Sequence, residues 1–213
     1  MQKYEIMMDT REEIYGHYVY RIKALKDFAD VKTGDIGGYI SSEDNLSQLG
    51  DCWVYDNATV CGSGLVADDA QIRDAARVFD RAQVLGDAVV DGYAQVYGGA
   101  IVMGHAWVTD FGKVRGGSSI REHATIKGEA IITESSDIYG HAIIGDYAII
   151  KEASQVLGYS CIRGLTVLDG KQIADNVVTE VPDGMRPPLT YEEVKKRCKT
   201  KSSNSRSKGT SRK

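Results

Sequence analysis

Proline is nearly absent from this chain, with 3 residues in 213, whereas glycine reaches 23, a balance that suits a turn-dense β protein rather than a disordered one. No apolar run approaches the roughly 20 residues that span a bilayer, which excludes a membrane helix. The opening stretch, residues 1–13, lacks the apolar segment of a signal peptide, so a cytoplasmic location is expected. The four cysteines, Cys52, Cys61, Cys161 and Cys198, form no CxxC pair and no zinc-type cluster. They are expected to be buried free thiols in a reducing compartment. Acidic residues are missing from Lys195 to Lys213, where nine Lys and Arg stand, so the rest of the chain carries a net charge of −13. At this length the chain forms one or two domains.

What is present is a period of six. From Val54 to Leu168 every sixth residue is Val, Ile or Leu, twenty in phase without an insertion. Four residues after each comes a small residue, from Ala58 to Thr166, and only Gln172 breaks that rule. Two residues after each aliphatic stands Gly, Asp or Glu, which is turn chemistry supplied every six residues. Six is wrong for an α-helical stripe, which repeats every 3.6 residues, and is three times the strand period of two. A short strand, a tight corner and another short strand satisfy it, and three such sides close a triangular coil of 18 residues. The expected fold is therefore all-β, a left-handed parallel β-helix of six to seven coils over residues 51–175. The aliphatic points inward from each side, and the small residue fits where the corner narrows.

Both ends of such a solenoid need caps. Residues 1–50 supply a small β-rich N-terminal cap, because residues 3–8, 17–25 and 37–41 read as strands. Residues 176–198 are expected to form a C-terminal cap with a short helix, with Thr190 and Glu193 placed as a capping box. Residues 199–213 read as a basic, disordered tail. Such a tail can neutralise phosphate, but a basic terminus more often only solvates itself, so no nucleic-acid partner is expected.

The 18-residue coil length stacks columns of residues. One corner column reads Asp69, Asp87, His105, His123, His141, Tyr159, so three histidines are expected to stand on consecutive rungs, exposed to solvent. An exposed corner accepts most polar side chains, and duplicated coils copy residues. Two imidazoles on neighbouring rungs could share a zinc, but no metal site is expected. A histidine can also act as a general base on an acceptor within hydrogen-bond reach. Beside this corner runs an outward column containing Val89, Trp107 and Ile143, and another corner carries Tyr93 and Phe111 on successive coils. Outward β-branched and aromatic residues stabilise a coil by cross-rung stacking. A contiguous exposed apolar patch also marks an oligomer or ligand contact.

The hexads resemble those of the hexapeptide-repeat superfamily, and the segment from Asp27 to Ala58 resembles the N-terminal signature of YdcK-like bacterial and prophage-type members. Together the resemblances cover about residues 20 to 175. They imply a trimeric assembly and an acyltransferase-type fold, with acyl-CoA as co-substrate and His105, His123 or His141 as general base if the chain is an enzyme. The unbroken hexads leave no inserted loop to close over an acyl donor. The expected function is thus a non-catalytic, oligomeric interaction protein that offers its flat sides to a protein partner, with no cofactor. An acyl-CoA-dependent acyltransferase is the alternative. A second alternative is an acidic, DNA-mimicking antagonist of a nucleic-acid-binding or defence protein, because Asp51, Asp56, Asp68, Asp69, Asp74, Asp80, Asp87 and Asp91 outnumber Arg73, Arg77 and Arg81 in the first coils.

Overall fold

A computed structural model of the chain describes residues 2–14, 16–174 and 177–179. The expected C-terminal cap and helix, and the basic tail, fall almost wholly outside these residues. The chain winds as a left-handed parallel β-helix of about eight turns. Each side is a strand of two or three residues whose second residue is the in-phase aliphatic, as in Ile101–Val102 or Ser119–Ile120. Every one of these aliphatics from Val54 to Ile162 is fully buried. Each strand pairs in parallel with the strand 18 residues later, as Trp107 does with Thr125 and Thr125 with Ile143.

Three sheets form the faces of the prism. Face I runs from Trp53–Val54 to Val178–Thr179 and follows the histidine corner. Face II contains Thr59–Val60, Gln95–Val96 and Val167–Asp169, and face III runs from Leu65–Val66 to Gln172–Ile173. The hexads alone account for between six and seven turns. The additional rungs come from residues outside the regular repeat. Strand β3 (Ile36–Ile40) pairs in parallel with Thr59–Val60, and Leu46 bridges to Val66. At the other end Val156 pairs with Ile173 and Ile162 with Thr179, so the last coil is one residue short. That deletion explains Gln172. It faces outward against Gln155, to whose Oε1 it donates at 3.1 Å, and it is not a corner residue.

The small positions hold their rule physically. Ser118, Ser136, Ser154 and Ser160 are fully buried where alanine stands elsewhere. The hydroxyls of Ser136, Ser154 and Ser160 donate to the carbonyl three residues back, at 2.8, 2.6 and 2.9 Å. A buried hydroxyl is tolerated because its donor is satisfied inside its own corner.

The turn positions carry a second device. Asp74, Asp110, Glu122 and Asp146 all lie at positive φ, and each carboxylate accepts the backbone N–H of the corner residue one rung on. The acceptances are from Gly92 at 2.9 Å, Gly128 at 2.9 Å, Gly140 at 3.0 Å and Gly164 at 3.2 Å. Glycine is required where the following rung presses close: a Cβ at Gly128 would stand 2.7 Å from the amide nitrogen of Asp146. The alternation of acid and glycine at the corners is therefore a hydrogen-bond ladder running down the edges of the prism.

The N-terminal end is closed by other means. Strands β1 (Tyr4–Ile14) and β2 (His17–Ala24) form an antiparallel hairpin, and β2 pairs antiparallel with β3 to extend face II. Lys3 is fully buried at the mouth of the coil. Its ammonium donates to the carbonyls of Leu49, Gly50 and Cys52 at 3.3, 3.2 and 2.9 Å. Tyr4 donates its hydroxyl to the carbonyl of Leu46 at 2.6 Å, and Trp53 meets Tyr4 and Phe28 edge-on. Gly37 and Gly38 let β3 cross the first coil, since a Cβ at Gly38 would lie 2.5 Å from the carbonyl of Ala58.

Candidate functional site

The expected histidine column is present. His105 and His123 stack with ring centroids 4.9 Å apart and planes 10° apart. His123 and His141 stack at 4.8 Å and 1°, and Tyr159 closes the stack on His141 at 4.7 Å. The cause is the coil itself: successive rungs lie about 4.8 Å apart, so identical corner residues are held parallel. All three rings are exposed on a convex edge. Each histidine amide donates to the carbonyl of the next rung's turn residue, His105 to Glu122, His123 to Gly140 and His141 to Gly158. The backbone beneath the rings is thus fixed.

One histidine differs from the others. The Nδ1 of His105 lies 3.4 Å from a carboxylate oxygen of Asp87, the residue above it in the column. A carboxylate at Nδ1 orients an imidazole and leaves Nε2 facing outward. His123 and His141 have only rings on either side. For zinc the stack is too open. Two nitrogens bound at about 2.0–2.1 Å in a tetrahedral site lie roughly 3.4 Å apart, whereas parallel rings 4.8 Å apart hold equivalent nitrogens farther away. No group of three or more metal-ligating side chains occurs among the described residues.

On face I, Val89 and Trp107 are paired on adjacent strands, and Ile143 lies two rungs beyond with Thr125 between them. Trp107 is 45% exposed, and its indole N–H donates to Asp91 at 3.0 Å. Trp107 is thus anchored by its indole N–H while much of the residue stays exposed. Trp53, at the head of the same column, is buried under the cap instead.

Tyr93 and Phe111 also come together, as a stacked pair with centroids 5.2 Å apart and planes 5° apart. They stand at the corner between faces I and II and border a groove of about 510 Å³ on face II. Arg77, Gln95, Lys113 and Ile131 form its floor, with Ala75 and Glu129 above and below the aromatic pair. A smaller groove of about 400 Å³, lined by His17, Ser63, Asp80 and Arg81, lies where the hairpin meets the third corner. Neither groove includes His105, His123 or His141.

Reading columns by the 18-residue step brings together the three histidines, Val89 with Trp107, and Tyr93 with Phe111, while Ile143 stands apart from Trp107 across Thr125. The same reading missed the groove, whose signal was available in the face II column Arg77, Gln95, Lys113. It also missed the local engagement of the acids. Asp56, Asp68 and Asp74 accept backbone N–H groups, Asp69 accepts the amide of Asp51 at 2.8 Å, and Asp87 and Asp91 meet His105 and Trp107.

No protein-family model matches the chain. Part of it is similar to the "Uncharacterized acetyltransferase YdcK" of Escherichia coli (strain K12), 34% identical over an alignment of 80 residues that covers 34% of this chain and 24% of that protein. The similarity therefore spans about a quarter of the relative's length. The twenty hexads, the parallel coil and this similarity together fit a YdcK-like hexapeptide-repeat β-helix.

Proposed function

We propose that the chain is a self-associating, non-catalytic interaction protein that uses the apolar column of face I as its contact surface. The observation that carries this reading is the contrast between the histidine corner and the face beside it. All three histidines are exposed, and among the described residues neither groove reaches them. A general base gains from a positioned acceptor and from exclusion of water. Face I, in contrast, offers Val89, Trp107 and Ile143 on one flat sheet. Exposed aromatics anchored by one polar edge are typical interface anchors. Hexapeptide-repeat β-helices commonly form trimers, and a trimer is the assembly proposed here.

The test is the solution mass by light scattering, compared between the parent and Trp107→Lys. The parent is expected to be a trimer, and the charged substitution to give a monomer that still unfolds cooperatively, at a melting temperature lowered by the loss of assembly. A parent that is monomeric at all concentrations would remove the reading.

The second reading is an acyl-CoA-dependent acyltransferase. It is favoured by the contact between Asp87 and His105 and by the activity printed in the relative's name. In that reading His105 is the general base, since it alone has an orienting carboxylate, and acyl-CoA is the co-substrate.

A further inference from the structure

The corner that carries Tyr93 and Phe111 is an interrupted aromatic ladder. Its column reads Asn57, Ala75, Tyr93, Phe111, Glu129, Tyr147, Leu165. Tyr93 is 60% exposed, Phe111 53% and Tyr147 55%. The pair is stacked along the axis of the coil, so each ring offers one free face. That of Phe111 looks toward the Glu129 rung, on whose other side Tyr147 stands. Two rungs separate Phe111 from Tyr147, about 9.6 Å at the usual strand spacing. One planar ring inserted at the Glu129 rung would continue the ladder at the spacing already seen between Tyr93 and Phe111.

The chemistry around the gap limits what that ring can be. Glu129 is exposed and presents two acceptor oxygens and no donor when ionised. A ring edge with two adjacent N–H donors satisfies both oxygens at once. Guanine has that edge, in its N1–H and its exocyclic amine. Adenine has an amine beside an unprotonated ring nitrogen, which a carboxylate repels. On the floor of the same groove Lys113 and Arg77 supply cations two rungs apart. Lys113 lies on the rung of Phe111, next to the proposed ring position, where its ammonium can meet an anionic group attached to that ring. The groove volume of about 510 Å³ lies within the range of small-molecule sites.

We propose that the face II groove binds a guanosine phosphate, with the base stacked between Phe111 and Tyr147 against Glu129 and the phosphates on the Lys113 side. The site lies on a different face from the apolar column of face I. It is independent of whether the chain is an enzyme.

Titration calorimetry of the full chain with GDP, ADP, guanosine and pyrophosphate, without added divalent metal, tests the assignment. GDP should bind saturably and at least about tenfold more tightly than any of the other three. Phe111→Ala should weaken GDP and guanosine alike, whereas Lys113→Ala should weaken GDP and leave guanosine unchanged. Glu129→Gln should remove the preference for GDP over ADP without preventing binding. All three side chains are solvent-facing: Lys113→Ala and Glu129→Gln should melt with the parent, and Phe111→Ala, which loses its stack on Tyr93, should melt slightly lower but still cooperatively, which separates lost binding from lost folding. Absence of saturable GDP binding, or binding untouched by Phe111→Ala and Lys113→Ala, overturns the site. Equal affinity for GDP and ADP in the parent overturns the guanine assignment.

Discussion

The coil and the cap that closes it are built on opposite principles. In the coil no single residue is special: each inward Val or Ile repeats a contact made six residues before and six after, and each corner repeats an acid or a glycine. The cap is made of singular side chains with singular partners. Lys3 fills the mouth of the prism, and Arg21 lies over Tyr39 while donating to the carbonyls of Asp56 and Gly37 and to the side chain of Asn57. Asn45 receives the amides of Ser41 and Ser42 and donates to the carbonyls of Gly62 and Gly64. A repeat buries its core only against its neighbours, so the first rung needs partners from outside the repeat.

This contrast can be broken first in the coil. Ile120→Asp places an unpaired charge between two aliphatic rungs and is expected to cost several kcal/mol, about 3–5, and to unfold the central coils. Cooperative unfolding at the parent midpoint, followed by circular dichroism, would show that the inward register is wrong. In the cap, Lys3→Ala leaves the buried carbonyl of Cys52 and the part-buried carbonyls of Leu49 and Gly50 without their donor, and is expected to cost about 1–3 kcal/mol in denaturant unfolding. Lys3→Met, which keeps the volume but not the donor, should recover little of that loss.

At the corners a smaller effect is expected. Asp74→Ala removes the acceptor for the Gly92 amide and leaves a non-glycine residue at φ of 57°, for about 1 kcal/mol of destabilisation. Asp74→Gly loses the same acceptor but relieves the backbone, so it should lie between Asp74→Ala and the parent.

The seam between cap and coil has its own pH signature. Cys61 is buried there with Val19 and Tyr39, and burial pushes its thiol from an ordinary value of 9.0 up to about 11. The unfolded chain releases that proton first. The contribution to stability is therefore complete below pH 9.0 and is lost as pH rises toward about 11. Unfolding free energies at about pH 8 and about pH 10.5 should differ less in Cys61→Ala than in the parent. The smallest effect belongs to the histidine corner, where His105→Ala, His123→Ala and His141→Ala should each change stability by no more than about 0.5 kcal/mol.

The coil was legible because its period of six is itself the physics of a three-sided prism. The inward phase, the small corners and the histidine stack all follow from an 18-residue step. Gln172 was legible as an irregularity, but its cause is a one-residue deletion, which only the pairing of Val156 with Ile173 reveals. The cap was legible as three strands. The burial of Lys3 was not, because a lysine near a terminus reads as a solvated residue until three converging carbonyls are in view. Among the site residues the columns were visible and their surroundings were not. Nothing in the spacing of Tyr93 and Phe111 announces the groove beside them, because its walls come from four successive rungs.

The histidine stack follows from the 18-residue coil, and the proposed function lies on the faces instead. The most direct test of that placement is the melting temperature with and without saturating acetyl-CoA, in the parent and in the His105→Ala, His123→Ala, His141→Ala triple variant. That placement predicts no upward shift in either protein. A clear rise in the parent, on the order of the 2.7 kcal/mol that a ligand at 100 times its dissociation constant provides, and its loss in the triple variant, would contradict it and place an acyl-donor site at the histidines.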